Sequence, residues 1–113
     1  MVKYIPKQGD IVYVNFSPTK GHEQRGKRPA MVISNNTFNN NTKMIMVCPI
    51  STNTKDFPTH YLLRDSKKIT GSVFCEHIRS IDYDERKVSY IESSSESDLL
   101  AVSMLINICI EGM

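Results

Sequence analysis

Apolar and polar positions divide the chain into short runs of strand length, followed by one long helical run. DIVYVNF (10–16) follows the turn signal Gln8-Gly9 and offers two faces, one with Ile11 and Tyr13, the other with Val12, Val14 and Phe16. PAMVIS (29–34) and MIMVCPI (44–50) are apolar runs of the same length. Between them NNTFNNNTK reads as an asparagine-rich turn, because Asn tolerates left-handed backbone and bonds its own main chain. HYLLR (60–64), GSVFCEHIRSID (71–82) and KVSYI (87–91) bring the expected total to six or seven strands. Short strands joined by turns in so small a chain point to a strongly curved sheet or barrel.

The final segment has a different period. Ser93-Ser94-Ser95-Glu96 fits a capping box with Ser93 as N-cap and Glu96 reaching back, and Ser95 or Ser97 is the alternative cap. Asp98 adds negative charge near the positive end of the helix. LLAVSMLINICIEG then runs apolar for three turns and stops at Gly112. Leu99, Val102, Ile106 and Cys109 or Ile110 form one stripe; Leu100, Met104 and Ile108 form another. A helix apolar on two sides must bury both, and a chain this small has little core to spare, so a subunit contact is expected.

Composition narrows the class. With 113 residues, 40% apolar and 23% charged, the chain has the make-up of one soluble globular domain, 1–113. No run approaches the roughly 20 apolar residues of a membrane span, and MVKYIPKQGD has no secretory h-region. Cys48, Cys75 and Cys109 are too widely spaced for a disulfide framework or zinc site, so buried thiols in a reducing cytoplasm are expected. The net charge of +2 hides an asymmetry: residues 1–28 carry six cations against two acids, and residues 83–113 carry six acids against two cations. A basic front end suits an anionic partner such as nucleic acid.

The chemistry concentrates in SPTKGHEQRGKRP (17–29), between two strands. Gly21 and Gly26 permit unusual backbone and close approach of a ligand. Pro29 biases Arg28 toward extended backbone, which sets its guanidinium at the lip of a strand. With Lys20, Arg25 and Lys27 it makes a loop suited to a phosphodiester. The glycine spacing matches neither phosphate-loop pattern, so a nucleotide cofactor has no support. His22 and Glu23 go beyond binding, since both can exchange protons near neutral pH. Metal-free cutting of RNA by its own 2′-hydroxyl needs these types: a proton acceptor, a proton donor, and fixed positive charge for the phosphorane.

GDIVYVNFSPTKGHEQRGKRPAMVIS, then VCPISTNTKDFPTH, then GSVFCEHIRSID and the terminal helix together resemble the MazF/PemK/Kid family of toxin endoribonucleases over nearly the whole chain. The resemblance implies an SH3-like small β-barrel, mainly β with short helices, working as a homodimer without a metal or other cofactor. It implies sequence-specific cleavage of single-stranded RNA to a cyclic phosphate, and an antitoxin whose flexible acidic tail occupies the RNA site. It makes Arg28 the catalytic cation and Ser51 the catalytic hydroxyl, with Thr52 beside it at a second hydroxyl position. It makes Glu23 the loop glutamate, Gln24 an RNA contact and His22 the loop histidine of the Kid branch. That branch's Arg-Cys-Asp triplet reads Phe74-Cys75-Glu76 here, so Glu76 either keeps the carboxylate role or contacts bases, as His77 could. Lys20 and Lys27 are expected to contact RNA, Lys55 and His60 to steer a single strand, Phe57 before Pro58 either to stack on it or to tuck inward, and Phe74 to be core. Gyrase poisons share this barrel and are the alternative, but they act through a C-terminal tryptophan-containing tail, and this chain has no Trp.

Overall fold

The computed structural model describes residues 3–16, 27–53 and 56–112. The elements run β1 (Asp10–Asn15), β2 (Lys27–Val32), α1 (Asn36–Thr42), β3 (Met44–Ser51), β4 (His60–Leu62), β5 (Ser72–Phe74), a one-turn 3-10 helix (Cys75–His77), β6 (Arg79–Asp82), β7 (Ser89–Ser93) and α2 (Glu96–Glu111). All strand pairs are antiparallel, in the order β4-β5-β3-β2-β1-β7, with β6 also on β3. The sheet is barrel-like without closing on itself.

β3 explains this layout. Its first half, Met44 to Val47, pairs β6, and its end, Ile50 and Ser51, pairs β5. The chain between those partners must step sideways, and it does so in the 3-10 turn. The expected single strand over 71–82 is therefore two strands and a turn.

Both faces of the central strands are covered, which is why they read as near-continuous apolar runs. Ile11, Met31, Cys48, Ile50 and Val73 pack with Val102 and Ile106 of α2 on the inner face. Val12, Val14, Val32, Ile45 and Val47 pack under Ile81 and Tyr83 on the outer one.

The asparagine-rich stretch is a helix, not a turn. Asn35 caps it by accepting from the Phe38 N–H, and Lys43 ends it in left-handed backbone at φ 59°. Asn39 is fully buried: its amide donates to the carbonyls of Pro6 (3.0 Å) and Ser34 (3.2 Å) and accepts from the Ser34 hydroxyl. A satisfied amide here does what an apolar side chain does elsewhere, tying the N-terminal segment to the end of β2.

In α2 the cap is Ser95, whose hydroxyl accepts from the Asp98 N–H at 3.0 Å. Asp98 does not reach back to the cap. It is fully buried and accepts from the Tyr61 hydroxyl (2.6 Å) and the Asp65 N–H (3.0 Å), which locks the helix start to the segment after β4. Val102 and Ile106 follow it inward, while Leu100 and Met104 stay 62% and 56% exposed. The second apolar stripe read from the sequence is the outer surface of α2. Cys48 and Cys75 are buried as expected; Cys109 is exposed.

Candidate functional site

Strand alternation decides which side chains share a surface. Met31, Cys48, Ile50, Val73 and Tyr61 belong to the inner core. Their neighbours in sequence therefore lie on the opposite face, where Ala30 and Ser72 are buried as well. The pairs Ala30↔Pro49, Ser51↔Ser72 and Phe74↔His60 lie on that outer side. The β2–β3 pairing ends at Ala30↔Pro49; Arg28 and Ser51 each lie two residues beyond it, on the same face of their strands as Ala30 and Pro49.

Arg28 is the second residue of β2, paired through its backbone with Val14, and its side chain is exposed. It makes no hydrogen bond or ion pair with another described residue. Lys27 beside it lies over the Tyr13 ring, 5.3 Å from the centroid. The Ser51 hydroxyl accepts from the Asn53 N–H at 3.1 Å, and Thr52 is exposed. Gly71 (φ +145°) fixes this strand end: a Cβ there would stand 2.4 Å from the Ser51 carbonyl oxygen, so no other residue fits without moving β3.

A second group of side chains lies on the far side of β5. Phe57, His60, Phe74 and His77 form a row of rings. His60 stacks on Phe74 at 3.7 Å and 2°, with Phe57 4.9 Å beyond it and His77 edge-on to Phe74 at 5.9 Å. Glu76 closes this group. Its carboxylate accepts from the Thr59 hydroxyl (2.6 Å) and from the His60 ring at Nε2 (2.8 Å), while His77 Nε2 comes to 3.6 Å. Partial burial raises the Glu76 carboxyl, but the Thr59 hydroxyl, its own backbone N–H and His60 outweigh that and hold it below the usual range. Cys75 between Phe74 and Glu76 is no nucleophile: burial pushes its thiol up to about 12.

Arg28 and Ser51 thus sit at the ends of neighbouring strands, Phe57, Phe74 and Glu76 are gathered around His60, and His77 touches Phe74 and Glu76. Thr52 follows Ser51 and Lys27 precedes Arg28. Lys20, His22, Glu23, Gln24 and Lys55 lie outside the described residues. Phe74 is half-buried in the ring row instead of the core. His60, expected to steer a single strand, opens β4 and is held by Glu76, Phe74 and Phe57. The signal was present in HYLLR: with Tyr61 inward, a period of two puts His60 outward beside Phe74.

Comparison with known proteins places this geometry. Residues 7–110 match the family described as PemK-like, MazF-like toxin of type II toxin–antitoxin systems. The endoribonuclease toxin MazF of Escherichia coli K12 is 32% identical over 108 residues, covering 96% of each chain. The crystal structure of MazF from Deinococcus radiodurans superposes with a TM-score of 0.85 at 32% identity, over 98% of this chain and 100% of that one. A MazE–MazF crystal structure from the same organism gives 0.84 at 25% identity, with the same two coverages. The family match covers the seven strands and all but the last residue of α2, and this chain belongs to the PemK-like, MazF-like family of type II toxin–antitoxin toxins.

Proposed function

We propose that the chain is one toxin domain that cuts single-stranded RNA, messenger RNA included, at a specific sequence and without a metal, so halting translation and growth in the cytoplasm. The observation that carries this reading is Arg28, an exposed guanidinium without a side-chain partner among the described residues, two residues beyond the Ala30↔Pro49 pair as Ser51 is on the neighbouring strand. A phosphate seated there meets a planar five-donor cation and a hydroxyl together. The 2′-oxygen attacks the adjacent phosphorus and the bond to the 5′-oxygen breaks, leaving a 2′,3′-cyclic phosphate and a 5′-hydroxyl. The 2′-proton leaves to a base and the 5′-oxygen takes one from an acid. His22 and Glu23 are our candidates for those transfers. Arg28 and Ser51 hold the phosphorane's negative oxygens. Lys20, Gln24, Lys27, Thr52, Lys55, Phe57 and His77 position the strand.

Incubating the protein with a mixed-sequence single-stranded RNA in EDTA tests this. The expected result is defined fragments with cyclic phosphate ends. Intact RNA bound in a salt-dependent way would instead mean a binding module.

Two partners belong to the reading. One is an antitoxin with a flexible acidic tail, supported by the MazE–MazF complex among the similar structures and by the basic front end of this chain. The other is a second copy. Leu100, Met104 and Ile108 recur each turn along the outer side of α2, an apolar stripe a monomer leaves wet. Sedimentation at micromolar concentration should therefore give the mass of a dimer, and a stable monomer would remove this part of the proposal.

A further inference from the structure

A cleft of about 590 Å³ opens between the segment before β1, α1 and β7. Asp10, the first residue of β1, lines it and is only 5% exposed. Along β1, Asp10 lies four residues from Val14, the backbone partner of Arg28, which is about 13 Å of strand. The cleft is therefore separate from the phosphate that Arg28 and Ser51 would hold, and nothing in it depends on the ribonuclease reading. Its volume falls in the range of small-molecule sites, about 300–1,000 Å³.

Two tyrosines show their rings there, Tyr4 at 36% and Tyr90 at 52% exposure, set edge to face at 5.9 Å. Their hydroxyls are already committed. Tyr4 donates to Asp10, which also accepts from the Lys7 N–H at 3.0 Å and the Ser93 hydroxyl at 3.4 Å. Tyr90 shares a hydrogen bond of 2.9 Å with that same Ser93 hydroxyl. With their polar tips engaged, the rings offer a ligand their apolar surface. Around them stand polar groups that have no partner among the described residues. These are the Lys7 ammonium, the Asn40 amide, and the amino group of Asn36, whose oxygen takes the Gln8 N–H at 2.8 Å.

We propose that this cleft binds a nucleotide, with the base against the Tyr4 and Tyr90 rings, its edge on the Asn36 and Asn40 amides, and its phosphate on Lys7. Each feature of the cleft asks for one part of that ligand. Exposed rings suit a planar partner, and every base has a π face. Free amides suit a partner edged with donors and acceptors, which a base is and a phenyl ring is not. A lysine without a carboxylate suits an anion, and inorganic phosphate alone would leave the rings unused. The buried Asp10 carboxylate is spent on its three donors and orients the tyrosine and Lys7 backbone around the ligand. The source is either a free mononucleotide or one nucleotide of a strand, since the chemistry recognised is the same.

Amide NMR spectra of the full chain test this, in separate titrations with the four nucleoside monophosphates, the matching nucleosides, inorganic phosphate, a DNA tetranucleotide and an acidic peptide bearing one phenyl ring. At least one monophosphate should shift the amides of Tyr4, Lys7, Asn36, Asn40 and Tyr90 and saturate by about 1 mM. Asn40→Ala and Tyr90→Ala should each weaken that binding about 10-fold. Lys7→Ala should weaken the monophosphate and leave its nucleoside unchanged. Asn40 is exposed on α1, so Asn40→Ala carries the test if Tyr90→Ala fails to fold. A tetranucleotide bound no more tightly than the monophosphate identifies the free nucleotide as the source; tighter binding that also moves the Arg28 amide identifies a strand. Inorganic phosphate shifting these amides as far as any nucleotide overturns the proposal. So do shifts confined to Arg28 and Ser51, or a cleft that only the peptide moves, whether or not the chain cuts RNA.

Discussion

Arg28→Ala should slow RNA cleavage at least about 10²-fold, the loss that follows removal of one preorganised charge-stabilising donor, and leave the fold intact. Both halves of that expectation come from where the side chain stands. It is exposed, and it bonds to no other described side chain, so truncation leaves no buried group stranded. The pairing of Arg28 with Val14 runs through the backbone and survives the change. What disappears is the guanidinium that meets charge building on the phosphorus. Arg28→Lys should fall between, since an ammonium keeps the charge and loses the planar fork. Single-turnover cleavage beside urea unfolding reads the two effects apart. Near-normal cutting by Arg28→Ala would remove this residue from the chemistry. Ser51→Ala should lose less, as one hydroxyl does less than a cation, and Thr52→Ala serves as the control for register.

Asp98→Ala should destabilise the fold by about 2–4 kcal/mol, the sum expected when neutral donors lose a buried, charged acceptor. The side chain is fully buried and is the acceptor for the Tyr61 hydroxyl and for backbone N–H groups at Arg64 and Asp65. Truncation removes the acceptor from these part-buried donors, and each donor left without a partner costs about 1–3 kcal/mol. The negative charge on the first turn of α2 is lost as well. Asp98→Asn should cost less, because its oxygen still serves Tyr61 while its NH2 opposes a backbone N–H. A chain of this size has about 5–15 kcal/mol in all, so the urea midpoint should drop by a large fraction. A midpoint within the equivalent of about 1 kcal/mol of wild type would show that this anchor contributes little. Tyr61 points inward to Asp98 and His60 points outward to Glu76, so the same anchor sets the strand that carries the ring row.

Much of this architecture was legible in the residue pattern, for physical reasons. β1, β2 and β3 are apolar because both their faces are covered, and such runs are conspicuous. The two stripes of α2 showed themselves by period, including the one that stays exposed. α1 was read as a turn because its inward residue is Asn39, and a buried amide cannot be told from a surface one until its three partners are known. The break at Cys75–His77 carries no Gly or Pro; it exists because β3 takes two partners in succession along its length, a fact of topology that no local window contains.

The site divides in the same way. The sequence points to Arg28 and Ser51 because short motifs hold them. The union of Glu76 with His60 joins residues 16 apart, on different elements, and only strand pairing brings them together. Lys55, Phe57 and His60 were read as one steering group. Phe57 and His60 are in fact neighbours in the ring row, and Lys55 lies outside the described residues.

The central claim is that a guanidinium at position 28 serves an attack made by the RNA's own 2′-hydroxyl. A short RNA containing one cut site, and its twin carrying a single 2′-deoxy sugar immediately 5′ of the scissile phosphate, should be incubated with the protein in EDTA. The account predicts that the first is cleaved to a 2′,3′-cyclic phosphate while the twin is bound and left whole. Scission of the twin at the same phosphate would contradict it.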